Sequence, residues 1–245
     1  MPQPPPLFLL HGWGMNRTIW SPLTAQLDGE VNTLDLPGHG QTPWNRAHYT
    51  LSAWVDFALA AAPPRAVWVG WSLGGIIAQA AALRAPERVA ALVGIATTPR
   101  FTQASDWPAA VDAQVLEGFA TAFSENHQGT LDRFLALQLR GDPAARQLLR
   151  RLREELRHCP APHPEALAVG LEILRHSDLR SQLAALRPPS CWIFGERDTL
   201  VPAALERDLR HYLPQATLIT LPRSAHAPFL SDPLGCAQQI RNFIK

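Results

Sequence analysis

The stretch that decides the fold runs from Ala66 to Gly75 and reads AVWVGWSLGG. Four apolar residues, Ala66–Val69, stop at Gly70, and Ser72 stands between Gly70 and Gly74 in a G-x-S-x-G pattern that Gly75 extends. A short apolar run stopped by a glycine reads as a buried strand, and Ile76–Arg84, ended before Pro86, reads as a helix. A strand that turns at once into a helix forces the corner serine into a strained backbone conformation, and only tiny neighbours fit inside such a turn. The corner lifts the serine oxygen clear of the sheet. It also aims the positive end of the following helix at the place where an anionic intermediate forms. Taken alone, the motif could be a Gly-rich turn whose serine caps a helix; the strand before it and the helix after it weigh against that reading. Ser72 is the candidate nucleophile.

Outward from this corner the chain repeats the same alternation. Leu7–Leu10, Val31–Leu36, Val89–Ile95, Ser190–Phe194 and Ala216–Leu221 read as further strands, and Gln238–Ile244 as a closing helix. Strands alternating with helices predict an α/β fold with a mostly parallel central sheet flanked by helices. The pattern breaks between Pro99 and Asp178, where helical periodicity runs without a convincing strand. Ala110–Phe123, Gly129–Arg140, Ala144–His158 and Pro164–His176 are the helix-like segments. The expected organisation is a core of residues 1–98 and 179–245 with residues 99–178 inserted as a helical lid.

With 245 residues, 47% hydrophobic and 18% charged, the chain has enough apolar material for one large core. Its formal net charge of +1 gives no global attraction for nucleic acid, so any electrostatic partner site must be a local patch. Cys159, Cys191 and Cys236 are odd in number and scattered, which disfavours a disulfide framework or a zinc site and reads as packing in a reduced, cytoplasmic compartment. No run approaches the ~20 apolar residues of a membrane span, and the start of the chain lacks the basic and apolar regions of a signal peptide. No metal or cofactor is expected, and the protein is expected to be a monomer.

Acyl transfer needs two N–H donors aimed at the developing oxyanion. The residue after the nucleophile supplies one, here Leu73. The loop after an earlier strand supplies the other, and His11-Gly12-Trp13-Gly14 follows the first strand directly. Its glycines allow close approach, so the Trp13 N–H is the expected donor and its indole the wall of an acyl pocket. His11 is expected to be structural. A general base belongs on a loop after a late strand. Of nine histidines, His226 in SAHAPF fits, just past Ala216–Leu221. His39 in LPGHG is the rival on an early loop, and His127, His158, His163 and His176 read as solvent-facing lid residues. The orienting carboxylate should lie between serine and histidine in the chain. Asp198 in FGERDTLVP fits best, with Glu196 and then Asp178 as alternatives.

Read together and in order, HGWG, LDLPGHG, GWSLGG, PERVAALV, FGERDTLVP and SAHAPF resemble the α/β-hydrolase superfamily over the whole chain. The tryptophan before the serine narrows the resemblance. So do the lid segments Asp132-Arg133-Phe134-Leu135-Ala136-Leu137-Gln138, Gly170–Leu174 and Asp178-Leu179-Arg180, which are similar to the pimeloyl-[acyl-carrier protein] methyl ester esterases of biotin biosynthesis. The resemblance implies a serine carboxylesterase that hydrolyses this methyl ester to methanol and the free acid on its carrier. It implies substrate contacts at Trp13, Ser72, Leu73, Phe134, Leu135, Ala136, Leu137, Gln138 and His226. It implies contacts to the acidic carrier protein at Arg133, Arg146 and Arg150. Between Arg133 and Arg157 lie seven arginines and three acids, a local charge of +4. Arg146, Arg150, Arg153 and Arg157 recur at helical spacing and share one face, where a solvated face pairing with Glu154 and Glu155 is the alternative. The chain departs from the superfamily at its start: a hairpin normally precedes the HGWG strand, and here six residues precede Leu7, so either two strands are missing or the start lies upstream. Other readings of the same scaffold are a general carboxylesterase, a C–C bond hydrolase, a peptidase, or a non-catalytic binding protein. A haloalkane dehalogenase would need aspartate at position 72.

Overall fold

A computed structural model describes residues 4–245. Residues 1–3, on which part of the expectation about a preceding hairpin falls, lie outside the described residues. Among the described residues six strands form one parallel sheet in the order β2-β1-β3-β4-β5-β6. They are β1 (Leu7–Leu10), β2 (Val31–Leu34), β3 (Ala66–Trp71), β4 (Val89–Ile95), β5 (Ser190–Gly195) and β6 (Thr217–Leu221). The α/β-hydrolase architecture expected from the sequence is thus present, with a wholly parallel sheet.

The helices, in chain order, are α1 (Ser21–Thr24), α2 (Leu51–Ala61), α3 (Leu73–Arg84), α4 (Ala113–Glu125) and α5 (His127–Gln138). After these come α6 (Ala145–Arg157), α7 (Pro164–His176), α8 (Leu205–Tyr212), α9 (Pro228–Ser231) and α10 (Pro233–Ile244). Four of them, α4–α7, fall between β4 and β5. Side chains of a strand alternate between faces, and the two cores follow that alternation. Phe8, Leu10, Trp68, Leu92, Trp192 and Phe194 pack with α2 and α3 on one face. Leu7, Leu9, Val67, Val69, Val93 and Ile193 pack with α10 on the other.

Two helices begin three to five residues earlier than periodicity alone suggests. α3 starts at Leu73, directly after the serine, rather than at Ile76. α10 starts at Pro233 rather than Gln238, because Asp232 accepts a hydrogen bond from Gly235 N–H and the proline pre-sets the first turn. All three cysteines are free. Burial pushes the Cys191 thiol up to about 12, which suits packing rather than reactivity. Among the described residues no helix is long and apolar enough to cross a membrane, and no group of three His, Cys, Asp or Glu could hold a metal ion.

His11 and His39 sit fully buried beside each other, ring centroids 5.2 Å apart. His11 donates from Nδ1 to the Gly12 carbonyl at 2.8 Å and accepts from Leu36 N–H at 3.0 Å, which fixes one neutral tautomer. His39 donates from Nδ1 to the Pro37 carbonyl at 2.9 Å. Desolvation holds His11 well below the ordinary imidazole value and lowers His39 from 6.5 to about 4. The unfolded chain therefore binds protons that the folded chain refuses. Stability should fall as pH drops from about 6.5 to about 4, by up to about 1.4 kcal/mol per pH unit for each histidine. Urea denaturation at pH 7 and pH 5 checks this, and His39→Asn, which keeps a donor near Nδ1, should flatten the slope.

Candidate active site

Ser72 stands at the end of β3 with φ 53° and ψ −118°, a region that L-residues other than glycine rarely adopt. Hydrogen bonds hold this conformation on both sides. Ser72 N–H donates to the Ile95 carbonyl at 3.0 Å, and the Ser72 carbonyl accepts from the Thr97 hydroxyl at 2.8 Å and from Gly75 N–H at 2.9 Å. The close packing expected inside the corner is present. A Cβ on Gly70 would lie 2.4 Å from the Gly74 carbonyl oxygen, and one on Gly74 would lie 2.2 Å from the Leu10 oxygen and 2.5 Å from the His11 oxygen. The corner and the loop after β1 thus meet backbone to backbone.

The loop after β6 brings His226 onto the serine. Ser72 Oγ lies 3.0 Å from His226 Nε2, and His226 Nδ1 lies 2.8 Å from Asp198 Oδ2. A carboxylate can only accept at neutral pH, so Nδ1 donates to it and Nε2 is left to accept the hydroxyl proton. The other oxygen of Asp198 accepts from Leu200 N–H at 2.8 Å and Val201 N–H at 2.9 Å, which fixes the carboxylate plane. All three residues are buried, at 3%, 1% and 5% exposure for Ser72, His226 and Asp198. The alternatives lie elsewhere. Glu196 is exposed and accepts from Arg223 N–H. Asp178 pairs with Arg180 and Arg100, which hold its carboxyl well below the usual range. His39 bonds Pro37 rather than Ser72.

Trp13 is buried in the loop after β1, and Leu73 opens α3. Among the described residues, neither backbone N–H has a protein acceptor. The Trp13 indole donates to the Leu167 carbonyl at 2.7 Å and meets Phe119, Phe123 and Phe134 edge-to-face. Of the five residues Phe134–Gln138, the structure places Phe134 against Trp13, with Leu137 packed on the same apolar cluster, while Leu135 packs with the opposite cluster that holds Trp71. Ala136 is exposed, on the outer side of α5. Gln138 is buried, its carbonyl accepts from His226 N–H at 3.1 Å, and its side-chain amide has no partner among the described residues.

A groove of about 620 Å³ opens beside the Trp13 loop, with Gly14, Asn16, Leu131 and Leu135 on its inner side and Arg153 and Arg157 from α6 on its wall. Arg146, Arg150, Arg153 and Arg157 are all exposed, while Leu148, Leu149, Leu152 and Leu156 turn inward. Arg157 pairs with Glu154 and Arg151 with Glu155; among the described residues Arg146, Arg150 and Arg153 make no salt bridge. Arg133 is exposed and folds back on its own helix, donating to the Gly129 carbonyl and the Thr130 hydroxyl.

Comparison with known proteins gives a consistent picture. A family model described as the alpha/beta hydrolase fold matches residues 5–233. The pimeloyl-[acyl-carrier protein] methyl ester esterase of Klebsiella pneumoniae (strain 342) is 43% identical over 236 residues, covering 96% of this chain and 91% of that protein. The protein of the same name from Xanthomonas campestris pv. campestris (strain B100) is 44% identical over 247 residues, covering 98% and 95%. An esterase from Exiguobacterium antarcticum superposes with a TM-score of 0.87 at 17% identity over 100% of this chain and 93% of the other, a likeness of fold.

Gly74→Ala tests the contact between corner and loop. The new methyl would meet rigid backbone, so stability should fall by about 1–3 kcal/mol or more in chemical denaturation.

Proposed function

This chain belongs to the alpha/beta hydrolase fold family and, within it, to the pimeloyl-[acyl-carrier protein] methyl ester esterases, and on that premise we propose how its residues carry out the reaction. It is a carboxylic ester hydrolase of biotin biosynthesis that cleaves the methyl ester of pimeloyl-[acyl-carrier protein]. The observation that carries the residue assignment is the unbroken relay from Ser72 Oγ through His226 to Asp198, at 3.0 and 2.8 Å.

His226 Nε2 takes the hydroxyl proton as Ser72 Oγ attacks the ester carbonyl. Asp198 holds the imidazole tautomer and stabilises the imidazolium. The Trp13 and Leu73 N–H groups, without protein acceptors among the described residues, bind the oxyanion, and the positive end of α3 adds to the field there. The tetrahedral intermediate collapses, His226 protonates the leaving methoxide, and methanol departs. Water then attacks the acyl-serine with the same histidine as base, restoring Ser72 and the free carboxylate. The groove beside the Trp13 loop, lined on its apolar side by Leu131 and Leu135, is where we place the carrier-borne chain. The exposed arginines of α6 that make no salt bridge among the described residues, Arg146 and Arg150 foremost, suit an acidic carrier, with Arg133 on α5 as a third contact.

Two measurements test this. Ser72→Ala should abolish methanol release from methyl pimeloyl-carrier and labelling by a fluorophosphonate; full activity in that variant would sink the assignment. Arg146→Glu with Arg150→Glu should raise KM for the carrier-borne ester by about 3- to 10-fold, the scale of two exposed charge contacts. It should leave hydrolysis of a short p-nitrophenyl ester unchanged. Equal effects on both substrates would move the carrier surface elsewhere.

A further inference from the structure

Trp71 is the residue before the nucleophile and the last of β3, and it is 1% exposed. Its indole N–H donates to the main-chain carbonyl of His226 at 2.7 Å, across 155 residues of sequence. Its ring lies 5.8 Å from the His226 imidazole, centroid to centroid, and meets Phe229 edge-to-face at 5.1 Å. The same ring lies under the loop after β1: a Cβ on Gly12 would come within 2.9 Å of Trp71 Cε3. One side chain therefore touches the base on one side and the oxyanion loop on the other, and it is covalently next to Ser72.

The His226 main chain has a second holder. Its N–H donates to the carbonyl of Gln138, the last residue of α5. The two anchors differ in kind. Gln138 ends α5, a helix of the segment between β4 and β5, outside the sheet. Trp71 belongs to a central strand, paired on both sides, and stays with the serine.

We propose that Trp71 is a positioning residue for the base: its indole N–H, bonded to the His226 carbonyl, holds Nε2 at hydrogen-bonding distance from Ser72 Oγ while its ring sets the height of the oxyanion loop. This rests on the reading of His226 as the base for Ser72. The bond fixes the reacting partners rather than the bound acyl chain, so its loss shows in kcat and not in KM.

The same apolar cluster contains the matching control. Trp20 is fully buried, its ring lies 6.5 Å from that of Trp71, and its indole N–H has no partner among the described residues. Trp71→Phe and Trp20→Phe each remove an indole N–H from one cluster, but only the first removes a bond to His226. On p-nitrophenyl acetate, Trp71→Phe should lose about 10- to 100-fold in kcat with KM within about twofold, the cost of a small misplacement of reacting groups. The rate of fluorophosphonate labelling should fall in parallel, and Trp20→Phe should stay within about twofold of the parent in both. Should the smaller ring unfold the protein, benzothienylalanine at position 71 keeps the bicyclic shape and deletes only the N–H; the same kcat loss is expected from it. A Trp71→Phe or benzothienylalanine protein that matches Trp20→Phe, or one whose loss lies in KM alone, overturns the inference. If Ser72→Ala is inactive in the same assay while that happens, only the role of Trp71 fails; if Ser72→Ala is active, the reading beneath it fails.

Discussion

Ser72 holds φ 53° and ψ −118°, a conformation that costs of the order of 1–3 kcal/mol in a residue with a side chain. The rest of the site depends on that cost being met. Three hydrogen bonds to the Ser72 backbone, from or to Ile95, Thr97 and Gly75, contribute about 0.5–1.5 kcal/mol each, enough to match it. Two of the three come from Ile95 at the end of the neighbouring strand β4 and from Thr97 just beyond it, and so exist only once the sheet has formed. The strained serine is thus a consequence of tertiary structure. It in turn lets α3 start at the very next residue, and among the described residues no backbone carbonyl takes the Leu73 N–H.

Burial alone does not make a base. Three histidines near the corner, His11, His39 and His226, are all about 1% exposed or less. His11 and His39 bond only to main-chain groups, and desolvation keeps them neutral; they hold loops together. His226 differs in having a buried carboxylate on one ring nitrogen and the serine on the other. A proton arriving on His11 or His39 meets mainly the cost of burial. Two of three similarly buried imidazoles are therefore unsuited to proton transfer near neutral pH, and the partner geometry selects the third.

The corner was legible in the sequence because every part of it is local: an apolar run, a serine and glycines within ten residues. Asp198 and His226 were legible for a related reason, since each follows a strand at the end of the sheet where the corner must lie. Helix starts were less so. α3 begins at Leu73 because of the turn geometry, which periodicity does not register, and α10 begins at a cap, Asp232-Pro233, that the chain does display. Contacts across long separations were out of reach. That Trp71 bonds His226 depends on how β3 and the loop after β6 approach each other. That Ala136 faces outward depends on the roll of α5 about its axis, which a five-residue motif does not define.

The helices between β4 and β5 meet the site at two points. α5 supplies Phe134 to the wall around Trp13 and, four residues on, a carbonyl to the His226 main chain, so one helix touches both the oxyanion loop and the base. α6 turns leucines inward and arginines outward, an amphipathic split that lets one element cover apolar surface and present cations to solvent. A shift of these helices large enough to admit a chain to a serine only 3% exposed would strain the bond between Gln138 and His226. On the proposed roles, an anchor outside those helices would keep the base in place through such a shift. The sheet provides one through Trp71, at the position next to the nucleophile, where any displacement of the strand carries serine, indole and histidine together.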